Sequence, residues 1–180
     1  MDDIMDIIKG RRSIRAFKEK DVPEELLNRL LESVKYCPSW ANTQCWELIV
    51  VRDRAQKERL QGILKDKNPA TKAIVQAPLV IALCGKTGSA GYYKGLAVTK
   101  LGDWLMFDLG IAAQTISLTA HSMGLGSVIV GAIEHDRGKE VLGIGEGYEL
   151  TVLIPIGYPA KEPPAPRRRE ISEFVHFERY

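Results

Sequence analysis

Between Lys100 and His121 the apolar residues Leu105, Leu109, Ile111, Ala112, Ile116, Leu118 and Ala120, with small Gly110 and Ala113 among them, recur so densely that a helix built from them is apolar around most of its circumference. Such a helix has to be covered on several sides, so it is expected at the centre of the fold. The flanking segments must supply that cover. Ile4, Ile7 and Ile8 predict a short helix ending near Gly10, and "PEELLNRLLESVKYC" predicts an amphipathic helix with Leu26, Leu27, Leu30, Leu31 and Val34 on one stripe. "AQKERLQGILKD" reads as a solvated helix with Leu60, Ile63 and Leu64 inward, and "EHDRGKEVLG" as a short one.

The apolar runs "WELIVVRD" and "APLVIALCG" read as buried strands, and "GSVIVGA" and "YELTVLIPIGYP" as two more. "GSAGYYKG" reads as a Gly-rich loop that could cover a pocket. Strands and helices alternate without a regular βαβ rhythm, which predicts an α+β fold. The 180 residues suffice for one sizeable core and show no break in composition, so a single domain over 1–180 is expected. Within it, residues 159–180 contain four prolines near their start and are expected as an extended arm.

Charge narrows the function. A net charge of +2 from 25 basic and 23 acidic residues gives no overall footprint for nucleic acid or an anionic membrane. The first residues are acidic where a signal peptide is basic, and no run reaches the roughly 18 apolar residues of a membrane span, so a cytoplasmic location is expected. Cys37, Cys45 and Cys84 lack CxxC spacing and are odd in number, which points to reduced thiols rather than a disulfide framework.

Against that near-neutral background, "RRSIRAF" packs Arg11, Arg12, Ser13 and Arg15 into five positions, and Arg167, Arg168 and Arg169 repeat the theme near the other end. Guanidinium forks and a hydroxyl suit a phosphomonoester dianion if the clusters converge in space. Taken singly, each cluster reads more readily as solvated surface than as a phosphate site. Neither GxGxxG nor GxxxxGK[ST] occurs, so a nucleotide would be held by side chains. His121, His135 and His176 are scattered and form no metal pattern, and Ser39 and Ser89 lack triad partners at a recognisable spacing. In "CPSWANTQCWELIVV", a Pro-Ser turn places Asn42 and Gln44 at the mouth of a strand; their amides can serve a planar polar ring or satisfy loop backbone.

Four blocks, "RRSIRAF", "CPSWANTQCWELIVV", "GIAAQTISLTAHSMGLGSVIVG" and "RRREISEFVHFERY", taken in order, resemble the signature blocks of the nitroreductase family of FMN-dependent oxidoreductases across nearly the whole chain. The resemblance implies a central, mainly antiparallel sheet flanked by helices. It also implies an intertwined homodimer with exchanged C-terminal arms and two FMN molecules at the interface. Arg11, Arg12 and Ser13 would meet the ribityl phosphate with Arg168, Arg169 and nearby Arg167, and Arg15 would lie by the pyrimidine side of the ring. Pro38, Ser39, Trp40 and Asn42 would come from the other subunit, with Gln44 opening its strand. Val130 and Gly131 would pack on the ring face, and Lys72 would stand near the flavin N1 and C2 carbonyl.

The implied activity is ping-pong transfer from NADH or NADPH to nitroaromatics, quinones or related small molecules, with the chemistry on the flavin and no catalytic side chain. Reductive dehalogenation, flavin fragmentation and non-enzymatic FMN storage are the competing readings. The sequence departs from the family pattern at Trp40, where a small residue is usual, and at Cys45, where proline is common, which implies a reshaped pocket wall. The 85–100 segment is short for the family and reads as little more than a loop.

Overall fold

A four-stranded antiparallel sheet organises residues 3–180, the part of the chain that the computed structural model describes. In chain order the strands are β1 (Trp46–Val51), β2 (Leu79–Lys86), the small hairpin pair β3 (Tyr92–Tyr93) and β4 (Leu96–Ala97), β5 (Gly126–Ser127) and β6 (Tyr148–Gly157). The helices are α1 (Ile4–Gly10), α2 (Glu24–Lys35), α3 (Arg54–Gln61), α4 (Thr71–Gln76), α5 (Leu105–Ser122) and α6 (His135–Leu142). The main sheet runs β1–β2–β6–β5.

Strand periodicity feeds two cores. Leu79, Ile81 and Leu83 of β2 face a layer with Leu27, Leu30 and Val34 of α2 and Leu109, Ala112 and Ile116 of α5. Val80, Ala82 and Cys84 face the opposite layer with Leu60 of α3 and Ile74 of α4. β6 keeps this register through a bulge at Thr151, whose hydroxyl donates to the Leu83 carbonyl at 2.9 Å. The extra residue turns Leu150 towards the second core while Val152, Ile154 and Ile156 face the first. The α+β expectation, with a sheet flanked by helices, holds.

Local chemistry sets the helix ends. Asp3 and Asp53 cap α1 and α3 by accepting from Met5 N–H at 3.2 Å and Gln56 N–H at 2.8 Å. α3 stops at Gln61, short of the predicted 55–66 span, because Gly62 ends it and Ile63 turns into the core.

Three other expectations are corrected. β1 is not buried: it is the sheet edge, paired only with β2, and Val51 alone of its residues is fully covered. The strand predicted over "GSVIVGA" shortens to β5 plus a single bridge from Val130 to Leu153. The 85–100 segment folds back as the β3–β4 hairpin, with Lys94 and Gly95 both at positive φ in its two-residue turn. α5 does pack on the sheet, but the sheet covers one side only. Met106 and Phe107 are 66% and 60% exposed on the side that also carries Gly110 and Gln114. Residues 160–180 are extended and exposed apart from half-buried Pro163, with one turn of 3₁₀ helix at Ile171–Glu173. No helix among the described residues is long and apolar enough to cross a membrane.

Candidate functional site

The two arginine clusters meet because backbone pairing brings their segments together. Residues 13–18 run extended between β5 and the exit of β6. Ser13 bridges Ser127, Ile14 N–H donates to the Ser127 carbonyl at 2.9 Å, Lys18 N–H donates to Tyr158, and Ala160 N–H returns a bond to Ala16, both at 2.9 Å. Ile14 and Phe17 turn inward as anchors, and Gly126 has no side chain because a Cβ there would lie within 3 Å of Ile14. The arm therefore starts beside "RRSIR".

One open cleft of about 300 Å³ is lined by Arg11, Arg12, Ser13, Arg15, Pro163, Pro164, Pro166 and Arg168. A neighbouring cleft of about 430 Å³ adds Ile8, Lys9 and Gln114 to Arg11, Arg12 and Arg168. Arg12 is braced through Nη1 on the Lys9 and Arg11 carbonyls, the latter at 2.9 Å, and Arg15 donates to the Ser13 carbonyl at 3.3 Å. Among the described residues none of these guanidiniums has a carboxylate within ion-pair distance. Four arginines and a hydroxyl around one cleft, unneutralised, form a receptor for a compact anion. Arg167 and Arg169 line neither cleft; Arg169 lies over the Phe174 ring at 5.4 Å.

Arg15 also lines a third cleft of about 330 Å³, walled by Val128, Ile129, Val130, Gly131 and Ala132 and by Lys65, Asp66, Asn68, Pro69 and Ala70. The two walls are stitched together: Lys65 N–H and Asn68 Nδ2 both donate to the Ala132 carbonyl, at 3.1 and 3.2 Å, and Glu134 N–H donates to Ile63 at 2.8 Å. Val130 and Gly131 thus line a cleft that shares Arg15 with the arginine cleft. Lys72 is exposed on α4 and lines none of these clefts; the lysine in the cleft with Val130 and Gly131 is Lys65, whose Nζ is 3.9 Å from Glu134. Sequence reading passed over Lys65, Asp66 and Asn68. The Asn68-Pro69 turn signal was the feature available to find them.

The turn carrying Pro38, Ser39, Trp40, Asn42 and Gln44 lines none of these clefts within one chain. Ala41, Asn42 and Gln44 have φ of 44°, 56° and 47°, three left-handed residues without glycine, interrupted by Thr43 at φ -67°. Ser39 Oγ accepts from Gln44 N–H at 2.9 Å, and Gln44 Nε2 donates to Asn42 Oδ1 at 3.3 Å. Thr43 Oγ1 is buried there without a partner. Trp40 packs on Trp104, with ring centroids 4.9 Å apart. Burial first, and then the neighbouring Asp108 charge, pushes the Cys45 thiol up to about 11, so it stays protonated at neutral pH.

A model described as the Nitroreductase family matches residues 8–158. A provisionally named NADH dehydrogenase/NAD(P)H nitroreductase of Methanothermobacter thermautotrophicus is 33% identical over 165 residues, covering 89% of this chain and 80% of that protein. An FMN reductase (NAD(P)H) of Bacillus subtilis is 28% identical over 176 residues, covering 89% and 67%. Among solved structures, an FMN-dependent nitroreductase of Clostridium difficile superposes with a TM-score of 0.81 at 27% identity, covering 98% of this chain and 99% of that one.

Proposed function

This chain belongs to the nitroreductase family, and from that membership we propose an FMN-dependent oxidoreductase that takes reducing equivalents from NADH or NADPH and passes them to a nitroaromatic, quinone or related small acceptor. The observation that carries the cofactor assignment is the unneutralised set of Arg11, Arg12, Ser13 and Arg168, joined through Arg15 to a cleft with one apolar wall, Val128 to Ala132. That donor set fits a phosphate dianion next to a planar ring. Bound FMN would supply the hydride-accepting and hydride-donating chemistry, so the protein needs no nucleophile of its own.

The chain's residues bind and tune. Arg11, Arg12, Ser13 and Arg168 hold the phosphate, with Arg167 and Arg169 adding positive charge along the arm. Val130 and Gly131 wall the ring. Arg15 and Lys65 set positive charge at the ring cleft, where it stabilises negative charge that grows on reduction; of the lysines at 65 and 72, Lys65 is the one with access to that cleft.

Pro38, Ser39, Trp40, Asn42 and Gln44 reach the cofactor from a second copy of the chain. Two features support a homodimer with shared sites. The α5 stripe with Met106 and Phe107 is apolar and uncovered, and the arm exposes Ile171, Phe174 and Phe177 at 71%, 50% and 84%.

The test is the visible spectrum of the purified protein loaded with FMN, before and after NADH, followed by turnover with menadione. A flavin band that bleaches with NADH and returns with menadione is expected. A yellow protein that NADH or NADPH leaves unchanged would instead be a storage protein, and a colourless one that takes up no FMN would remove the cofactor from the reading.

A further inference from the structure

Asp108 is 1% exposed, carries no ion-pair partner among the described residues, and takes no part in the clefts above. A buried carboxylate without a cation needs other compensation. Part of it is local: Asp108 sits in the first turn of the 18-residue helix α5, where the helix dipole favours negative charge. The rest comes from the turn 39–45. Trp40 N–H donates to both carboxylate oxygens, at 3.2 and 3.1 Å, and Oδ2 lies 3.6 Å from Cys45 Sγ.

Those two contacts fall on either side of a run that holds the left-handed residues Ala41, Asn42 and Gln44, with Thr43 right-handed between the last two. Between them, Ala41, Asn42 and Gln44 are exposed and Thr43 is half-buried, so no core side chain within the run holds its shape. Non-glycine residues resist that conformation. Inside the turn only short-range bonds oppose the resistance, including Asn42 N–H to the Ser39 carbonyl at 3.1 Å and Thr43 N–H to the Trp40 carbonyl at 2.9 Å. At its far end Cys45 is tied to β2 as well, its carbonyl accepting from Lys86 N–H at 2.8 Å. At the near end, the Trp40 main chain is tied to the rest of the fold through Asp108.

We propose that Asp108 is a positioning residue of the cofactor site: it clasps Trp40 and Cys45 and so holds Asn42 and Gln44 in the left-handed geometry in which their amides meet the flavin. The flavin part rests on the function proposed above; the clasp itself does not. Asp108 touches no substrate and acts through the turn.

The experiment compares wild type, Asp108→Asn, Asp108→Asn with Ala41→Gly, and Ile116→Val, a core change in the same helix away from the turn. Amide hydrogen exchange at Trp40 and FMN titration of the apoprotein are read on each. Asp108→Asn keeps the shape but turns one acceptor into a donor facing the Trp40 N–H or the Cys45 thiol. Trp40 exchange should then accelerate about tenfold or more, and FMN affinity fall by a similar factor, the usual scale for a charge-assisted hydrogen bond. Glycine at position 41 removes the Cβ penalty of its positive φ, so the double variant should regain a substantial part of the lost affinity. A residue that merely stabilised α5 would show no such rescue, since added glycine freedom destabilises further.

The clasp is overturned if Asp108→Asn exchanges and binds FMN like wild type, if Ile116→Val reproduces its effects, or if Ala41→Gly worsens the defect. Should wild type take up no FMN, the cofactor reading fails by itself while the exchange arm still decides the clasp.

Discussion

Replacing Arg168 with alanine should weaken FMN binding by about ten- to a hundredfold and leave riboflavin binding near wild type. Arg168 lines two neighbouring clefts and has no ion pair among the described residues, so its guanidinium is available to an anion. A hydrogen bond to a charged group contributes about 1.5 to 3 kcal/mol, which converts to that range of dissociation constants. Arg12 is a different case. It also caps the Lys9 and Arg11 carbonyls, so Arg12→Ala should reduce both affinity and stability. Arg168→Ala removes surface charge alone and should shift unfolding by no more than about 0.5 kcal/mol. Titrating the apoprotein with FMN and with riboflavin, which lacks the phosphate, isolates the term of interest. Equal loss for both ligands, or unchanged FMN affinity, would refute the phosphate assignment.

Mixing an Arg12→Ala subunit with an Asn42→Asp subunit, each inactive as a homodimer, should restore up to about half of wild-type turnover if each site draws on both chains; single-chain sites would recover nothing, and subunit exchange must be verified by co-expression. Burial pushes the Cys84 thiol from its ordinary value of 9.0 up to about 12. Above pH 9 the unfolded chain then releases a proton that the folded one keeps, so stability falls as pH rises. By pH 10 the loss from Cys84 is about 1.4 kcal/mol, and Cys45, raised to about 11, adds a loss of similar size, so the drop in stability between denaturant midpoints at pH 8 and 10 should shrink by about half in Cys84→Ala.

The sequence disclosed what depends on local pattern. α2 declared itself through Pro23, Glu24, Glu25 and an apolar stripe, and β2 through a run buried on both faces. It misled where an outcome depends on neighbours. The Leu48–Val51 run is as apolar as β2, yet β1 became an edge, because only the strand order decides how many faces are covered. The arginine clusters were visible as clusters, but their meeting depends on the pairing of Ala16 and Lys18 with Tyr158 and Ala160, which no periodicity encodes. Lys65 and Lys72 were indistinguishable by type; only the stitching of the 63–68 segment to Ala132 and Glu134 gave one of them access to a cleft.

That pairing at the sheet edge has a topological consequence. Arg12 and Arg168 stand roughly 155 residues apart along the chain, yet they line the same clefts. An anion gripped by both would act as a reversible cross-link that closes nearly the whole polypeptide into a ring. Closure entropy grows only slowly with loop size, yet a loop this long lies at the upper end of what one link can remove from the unfolded ensemble. The phosphate would then do for this chain what a disulfide does for a secreted one, and its departure would be felt first where the chain begins and ends, by fraying of α1 and the arm while the β2–β6 pair stays closed.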